Sequence, residues 1–465
     1  MSHRTGQPVR AAVLGGGISG LTAAYRLRRA LGNDAQITLY EGSARVGGKL
    51  HTQIVSDFEV DVGAEAFVRR RPEMLALASE LGLSGELVAP GGYRPVIWSQ
   101  GVAHPLPSGA FMGIPASSSS IADLGGLVSR ATLEYAAAEA DRPIEWSAGT
   151  DCTLAELVGE RFGQEVARRS VDPLIAGVYA GDSRSVSVRS AIPELARALD
   201  MGAPSVTAAV QEVLTAGSGA ASGPVFATFR NGYKTLLSAL LEAARPDIRN
   251  GAPASIVRGA QANWEVVAHG SSTAADIVIL AVPAHALSHA VATVAPEAAS
   301  ASREIRHASS AVVTFAFPGD AELPEWSGVL VAGDEDLHAK AVTFTSRKWP
   351  HHAGRGLLRV SLGRFGDPEP VTDSLDDVLI GVALRDLRHV SHIVAEPRAA
   401  RVQRWPDGLP QYECGHSARV NAIEGDIARL RGVGVAGCYL HGVGVPACVA
   451  SAEAAVTKAL GDMAG

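Results

Sequence analysis

The stretch VRAAVLGGGISGLTAAYRLRRALGNDAQITLYE, Val9 to Glu41, decides the fold. Val9–Leu14 is a short apolar strand. It runs into Gly15, Gly16, Gly17, Ile18, Ser19 and Gly20, then into a helix expected over Leu21–Leu31. Gln36–Tyr40 is a second short strand, closed by Glu41. The whole is a strand–helix–strand unit of about thirty residues. Its glycines have separate tasks. Gly15 permits the tight turn, Gly17 admits a pyrophosphate where a Cβ would stand, and Gly20 lets helix and strand pack closely. The helix start offers free N–H groups to phosphate oxygens. Glu41 stands where a carboxylate accepts from ribose hydroxyls, and its charge disfavours a 2′-phosphate.

A second glycine doublet follows at once, in the order Arg45, Val46, Gly47, Gly48, Lys49. A simple NAD site does not need it. It resembles the R-x-G-G element of flavin oxidases related to monoamine oxidase, which moves the expected cofactor from NAD to FAD. Near the other end, Gly437 to Pro446 is a glycine-rich loop between a strand (Val433–Ala436) and a helix expected over Cys448–Leu460. In the flavoproteins that the chain resembles, such a segment returns to the first domain and aims a helix start at the flavin. That positive end favours an anionic reduced ring.

Four further segments narrow the resemblance. They are Asp61–Phe67, Asp172–Asp182, Trp405 to Tyr412 (with Gly408, Pro410 and Gln411), and Gly444–Cys448. Together they are similar to the protoporphyrinogen/coproporphyrinogen oxidases, along nearly the whole chain. The Asp172–Asp182 run discriminates best, because amine oxidases and carotene desaturases share the FAD motifs without it. Ala64 departs from the family, where many relatives carry Pro, and the Ser117–Ser120 run is peculiar to this chain.

The resemblance implies an α/β fold in three parts. A Rossmann-like FAD-binding domain (8–95, 225–300 and 425–463) is interleaved with an antiparallel-sheet substrate domain (96–110 and 301–424). A mostly helical subdomain (111–224) covers the pocket or faces a membrane. It also implies the cofactor contacts: Gly15, Gly16, Gly17, Ile18, Ser19, Gly20, Glu41, Arg45, Gly47, Gly48, Lys49, Gly63, Ala64, Glu65, Ala66, Val257, Gly437, Val443, Gly444 and Val445. The implied reaction removes six electrons from a porphyrinogen in three rounds, with hydride passing to flavin N5, oxygen as acceptor and hydrogen peroxide as product. The cofactor carries that chemistry, so no catalytic triad is expected and none is found. His51, His285 and His441 read as structural or surface residues, and no metal site is expected.

The substrate is a large apolar ring with carboxylates at its rim, which asks for an apolar cleft with a few cations. Arg69, Arg70 and Arg71 precede a helix that begins at Pro72. Cations there oppose the helix dipole, and a bound propionate would reverse that penalty. Tyr179 is a candidate pocket wall on family grounds. The Arg cluster and the absence of a convincing apolar span favour the tetracarboxylate, coproporphyrinogen III, over protoporphyrinogen IX. An amine oxidase and a non-enzymatic FAD- or porphyrin-binding protein are the remaining alternatives.

Composition fits this reading. Of 465 residues, 47% are apolar and 19% charged, enough to build a core and too few charges for extended disorder. The net charge of −7 argues against nucleic-acid binding. Cys152, Cys414, Cys438 and Cys448 form no C-x-x-C pair and read as thiols in a reducing compartment. Asp276–Ala295 carries Pro283, His285 and His289, and Val433–Ala450 is broken by glycines and Pro446, so neither resembles a membrane span. Met1–Val9 lacks the apolar region of a signal peptide. The expected location is cytoplasmic, with peripheral membrane contact left open and handover to a ferrochelatase a family expectation. Ala216–Pro224 (AGSGAASGP) is the best candidate for a mobile loop or an internal boundary.

Overall fold

Continuous apolar runs such as Ile277–Leu280 belong where both faces of a sheet are covered. In the computed structural model, which describes residues 8–218, 223–259, 263–367 and 371–464, that run lies inside a five-stranded parallel sheet. Its order is Asp247–Arg249, Gln36–Tyr40, Arg10–Leu14, Ile277–Leu280, Val433–Val435. Three distant stretches of chain therefore build one sheet, with Ala12 opposite both Thr38 and Val278. Val13, Leu14, Val278, Ile279 and Leu280 are almost completely buried. Each such aliphatic side chain contributes about 1.5–3 kcal/mol relative to exposure.

One face is covered by the helices Ile18–Leu31, Lys234–Ala244 and Val445–Ala464, whose apolar sides form a single core with it. The opposite face carries a three-stranded antiparallel sheet (Ala254–Arg258, Trp264–Ala268, Ser271–Ala275). Beside it lie the helices Ala284–Ala290, Pro296–Arg303 and His416–Ala428. The first helix starts at Ile18, three residues before the expected Leu21, and the last at Val445 instead of Cys448. Glycine-rich stretches mask helix starts, because their backbone turns before the apolar periodicity does.

A seven-stranded sheet forms the second layer. Its order is Ala399–Pro410, His307–Ala316, Leu357–Leu362, Ala339–Thr343, Trp326–Val331, Arg94–Ser99, Val102–Pro105. All neighbours are antiparallel except Trp326–Val331 with Arg94–Ser99, which run parallel. Helix Asp376–Ser391 packs on it. The strand Arg94–Ser99 crosses the boundary expected between residues 95 and 96. Helix His416–Ala428 crosses the one expected between 424 and 425, and packs with the nucleotide-type sheet.

Residues 111–218 are mostly helical around their own core, which includes Phe162, Ile175, Tyr179 and Leu195. Here a π-helical turn at Ala167–Val171 leads into helix Asp172–Tyr179. Such turns insert a residue into the helical ladder and are often found at functional sites. Ala180 ends the helix in the left-handed region, at φ 51°. Of the Ala216–Pro224 segment, residues 219–222 lie outside the described residues. Among the described residues no helix is long and apolar enough to cross a membrane.

Candidate functional site

The carboxyl end of the parallel sheet is where the glycine elements meet. Gly15 leaves the first strand with φ 103°, and its N–H donates to Tyr40 O at 2.7 Å. A Cβ on Gly15 would stand 2.3 Å from Ala281 O, and one on Gly20 would stand 1.8 Å from Gly15 O. These two glycines are required by packing. Gly17 differs: a Cβ there would meet nothing within 4 Å, so its small size serves open space in front of the helix. That helix has no side-chain cap at Gly17 and no acidic residue in its first turn. Its orphan N–H groups and dipole are left for an anion.

The second doublet docks on the first. Gly47 N–H donates to Gly16 O at 2.7 Å, and Gly17 and Gly47 form a parallel bridge. A Cβ on Gly48 would lie 3.2 Å from Gly17 Cα. Glu41 accepts from Gly16 N and Ser43 N, both at 2.7 Å. A carboxylate has about four acceptor positions, so two remain for ribose hydroxyls. Arg45 donates to Val46 O (3.2 Å) and Gly48 O (2.8 Å) and faces Trp405, 5.9 Å from the ring centroid. Burial pushes its pKa below the ordinary value. The Lys49 amine lies 3.7 Å from Cys438 Sγ.

The third element arrives from the C-terminus. Ala436 N–H donates to Leu280 O at 2.9 Å, bringing Gly437 beside the sheet. The loop then delivers Val443, Gly444 and Val445 to the start of the last helix, which has no acidic residue in its first turn. Ser19 Oγ donates to Cys448 O at 3.2 Å, so the first turns of the two helices are neighbours. The residues present fit a dinucleotide that carries an extended ring: an uncapped helix start at Gly17, a second helix start with no acidic residue in its first turn, an open place at Gly17 and a carboxylate with free acceptors.

Of the Asp61–Phe67 segment, Gly63 and Ala64 lie against the doublet. Ala64 N–H donates to Lys49 O at 3.1 Å, and a Cβ on Gly63 would fall 1.9 Å from that same oxygen. The Glu65 carboxylate faces elsewhere. It pairs with Lys348 at 2.8 Å and Arg359 at 3.6 Å, which leaves only the backbone of Glu65 and Ala66 for a cofactor. Val257 sits in strand Ala254–Arg258, paired with Glu265.

The three arginines diverge. Arg69 N–H donates to Val225 O at 2.9 Å. The Arg70 guanidinium lies 5.2 Å from the Phe111 ring centroid, on the helical part. Arg71 pairs with Glu73 at 2.9 Å and borders Gly442 in the C-terminal loop. Tyr179 is 5% exposed and packs on Tyr412, with ring centroids 5.4 Å apart. The exposed residues of its helix are Gly177 and Val178. The histidines are spread out: His51 meets Trp405, His285 meets His307, and His441 pairs with Glu424 at 2.8 Å, which raises its pKa. Burial pushes His307 down to about 4. Lys348, Arg359 and Tyr412 join the site without a sequence signal of their own, beyond the motif that contains Tyr412. A cleft of about 460 Å³ opens at Tyr93, Arg94, Ala103, Glu325 and Trp326, apart from Arg69–Arg71 and Tyr179.

Comparison with known proteins agrees with this geometry. Residues 18–460 match the family described as flavin containing amine oxidoreductase. A coproporphyrinogen III oxidase of Mycobacterium tuberculosis is 48% identical over 448 residues, covering 96% of each chain. The coproporphyrinogen III oxidase of Bacillus subtilis is 30% identical, covering 96% of this chain and 97% of its own. A candidate protoporphyrinogen oxidase of known structure from Exiguobacterium superposes with a TM-score of 0.85 at 27% identity, covering 98% and 99% of the two chains. With its parallel sheet, docked glycine doublets and returning C-terminal helix, this chain belongs to the flavin-containing amine oxidoreductase family.

Proposed function

We propose that the protein is an FAD-dependent coproporphyrinogen III oxidase of haem biosynthesis. The observation that carries this reading is the convergence of Gly15–Gly20, Arg45–Gly48 and Gly437–Val445 at one end of one parallel sheet. Relatives up to 48% identical that bear the coproporphyrinogen III oxidase name support the substrate.

In this reading the start of helix Ile18–Leu31 and the Gly17 opening receive the pyrophosphate, and Glu41 takes the adenosine ribose. Arg45, through its bonds to Val46 O and Gly48 O, fixes the second doublet over the phosphates. Gly63–Ala66, Lys49 and Val443–Val445 border the flavin ring, and Val257 borders the nucleotide. FAD bound there supplies the two-electron acceptor for each of three oxidation rounds. The protein's part is to hold and orient the macrocycle and to keep the reduced ring's charge beside a helix start.

The substrate propionates are met by at least one of Arg69, Arg70 and Arg71. Tyr179 acts behind the pocket surface. Oxygen is the terminal acceptor and hydrogen peroxide the product. The reading keeps the partition into an interleaved FAD domain, a substrate domain and a helical cover, and the two sheets and the helical core support it. A cytoplasmic location and transfer of the porphyrin to a ferrochelatase complete the proposal.

The test is anaerobic. The purified protein, yellow with FAD, should bleach on adding coproporphyrinogen III and recover its colour in air, releasing peroxide. A strong preference for protoporphyrinogen IX would transfer the assignment to that substrate. Bleaching by amines alone would reject porphyrinogen oxidation.

A further inference from the structure

One phenol ties the loop before the last helix to the opposite wall. Tyr412 follows strand Ala399–Pro410 and is 2% exposed. Its hydroxyl donates to Cys438 O at 2.7 Å and accepts from Gly442 N–H at 2.8 Å. Donor and acceptor capacity are used together, on two backbone groups four residues apart. The loop's other ties are Gly437 N–H to Ser451 Oγ at 3.1 Å, Leu440 N–H to Gly437 O at 3.4 Å, the Lys49 amine to Cys438 Sγ at 3.7 Å and the His441–Glu424 pair at 2.8 Å, and none of these reaches Gly442. Gly442 itself has φ 143°, a conformation open to glycine and unfavourable to other residues. The Tyr412 hydroxyl thus holds both ends of the path from Cys438 to Gly442.

The ring is held as firmly as the hydroxyl. It stacks on His416, with centroids 4.0 Å apart and planes at 20°. Its other neighbour is Tyr179, at 5.4 Å. Tyr412 O accepts from Ser187 N–H at 2.7 Å, and Gln411 Nε2 donates to Tyr179 O at 2.7 Å. The run Asp172–Asp182 is therefore bound, through residues 411 and 412, to the loop that starts the last helix. Phenylalanine would fill the same space and keep the ring contacts. Only the loop needs the oxygen.

We infer that Tyr412 is a positioning residue, whose hydroxyl fixes the Cys438–Gly442 turn and so the aim of the Val445–Ala464 helix start at the flavin, and that it relays occupancy of the porphyrinogen pocket to that turn through Tyr179. The inference rests on the proposed function, because it places the flavin beside this loop. Tyr412 acts through Gly442 and the helix behind it. Burial holds its pKa well above the ordinary phenol value, so it remains a neutral donor at physiological pH.

The experiment compares wild-type holoenzyme with Tyr412→Phe. The variant should stay yellow. Its oxidised-to-reduced flavin equilibrium should shift about tenfold toward the oxidised form, a midpoint potential lower by about 30 mV for a two-electron couple. kcat should fall about tenfold with KM for coproporphyrinogen III nearly unchanged, the size expected when one or two hydrogen bonds are lost. An unchanged potential overturns the inference, whether activity is kept or is lost together with thermal stability. Should the variant not fold, amide hydrogen exchange on the wild type decides. Coproporphyrin III should slow exchange at Gly442, and an indifferent Gly442 overturns the relay. A wild type that takes up no flavin overturns the proposed function itself, a result separable from all of these.

Discussion

Lys348 Nζ lies 2.8 Å from Glu65 Oε2, and this contact fastens the nucleotide-type part of the chain to the seven-stranded sheet. Glu65 sits just after the segment that docks on Lys49. Lys348 ends the short helix Thr345–Lys348, and Arg359, in strand Leu357–Leu362, adds a second cation at 3.6 Å. The same Arg359 donates to Gly63 O at 2.6 Å. One carboxylate and two cations therefore set the distance between the two sheets beside the proposed flavin.

Glu65→Gln should loosen that attachment. Removing one partner of a buried pair costs about 3–5 kcal/mol, and the partial exposure of Lys348 reduces this to roughly 2–3 kcal/mol. The two cations hold the Glu65 carboxyl down at about 2, against burial that opposes them. A depressed carboxyl stabilises the fold above its unfolded value and loses that effect as pH falls through the folded value. The stability gap between wild type and Glu65→Gln, measured by urea unfolding, should therefore be constant from pH 5 to pH 8. A gap that vanishes at pH 5 would sink the ion-pair account.

Asp61, four residues away, has the opposite sign. Burial raises its carboxyl to about 6, although Thr52 Oγ1 (2.5 Å) and Tyr233 N–H (3.1 Å) both donate to it. Because the folded state holds this proton more tightly than the unfolded chain, its contribution is greatest below the unfolded value near 4. It declines as pH rises to about 6. Asp61→Asn keeps an acceptor for both donors and does not titrate. The variant should gain on wild type by roughly 2–3 kcal/mol between pH 4 and pH 7. Parallel urea midpoints across that range would contradict the raised pKa.

Gly17 and Gly20 separate binding from folding. Gly20→Ala drives a Cβ into Gly15 O and should prevent the first helix from meeting its strand. Gly17→Ala meets nothing in the protein and its φ of −73° suits alanine. It should leave the thermal midpoint of the flavin-free protein within a degree or two, while weakening FAD binding at least tenfold, about 1.4 kcal/mol. Equal loss of both properties in Gly17→Ala would mean that the opening is not a phosphate site.

The contrast between those glycines also marks how far the sequence can be read. The parallel sheet was legible because its apolar runs and glycine turns are local signals, and Val9–Glu41 needs no outside partner to be understood. The docking of Gly47 on Gly16 was not legible, since nothing in the spacing says that two glycine elements touch. Strand Asp247–Arg249 has no apolar run and gains its identity from pairing with Gln36–Tyr40. The Arg69–Arg71 run shows the limit for side chains. Its members are adjacent in sequence, yet the Arg70 guanidinium lies beside the Phe111 ring, that of Arg71 meets the Glu73 carboxylate and that of Arg69 lies beside Gly223. A backbone that turns into a helix sends successive side chains in different directions. Tyr179 shows the same dependence on helical position, which places Gly177 and Val178 outward and Tyr179 inward.

Arg70 is therefore the member of that run with the best claim to a substrate carboxylate. Among the described residues it has no carboxylate partner, whereas Arg71 is held by Glu73. Its guanidinium rests beside Phe111 and is exposed, so a propionate can reach it without breaking an existing ion pair. Charge-assisted bonds of this kind contribute about 1.5–3 kcal/mol, equivalent to roughly tenfold or more in binding. Arg70→Gln should raise KM for coproporphyrinogen III by about that factor and leave kcat within twofold, because the lost contact is the same in ground and transition states. Arg70→Lys should recover part of the affinity, since it keeps the charge but not the planar fork. Protoporphyrinogen IX, with two carboxylates where coproporphyrinogen III has four, should suffer less if Arg70 meets one of the two extra propionates. An equal rise in KM for both substrates would assign Arg70 to a propionate that they share. No rise for either would remove Arg70 from the pocket and leave Arg69 as the cation to test.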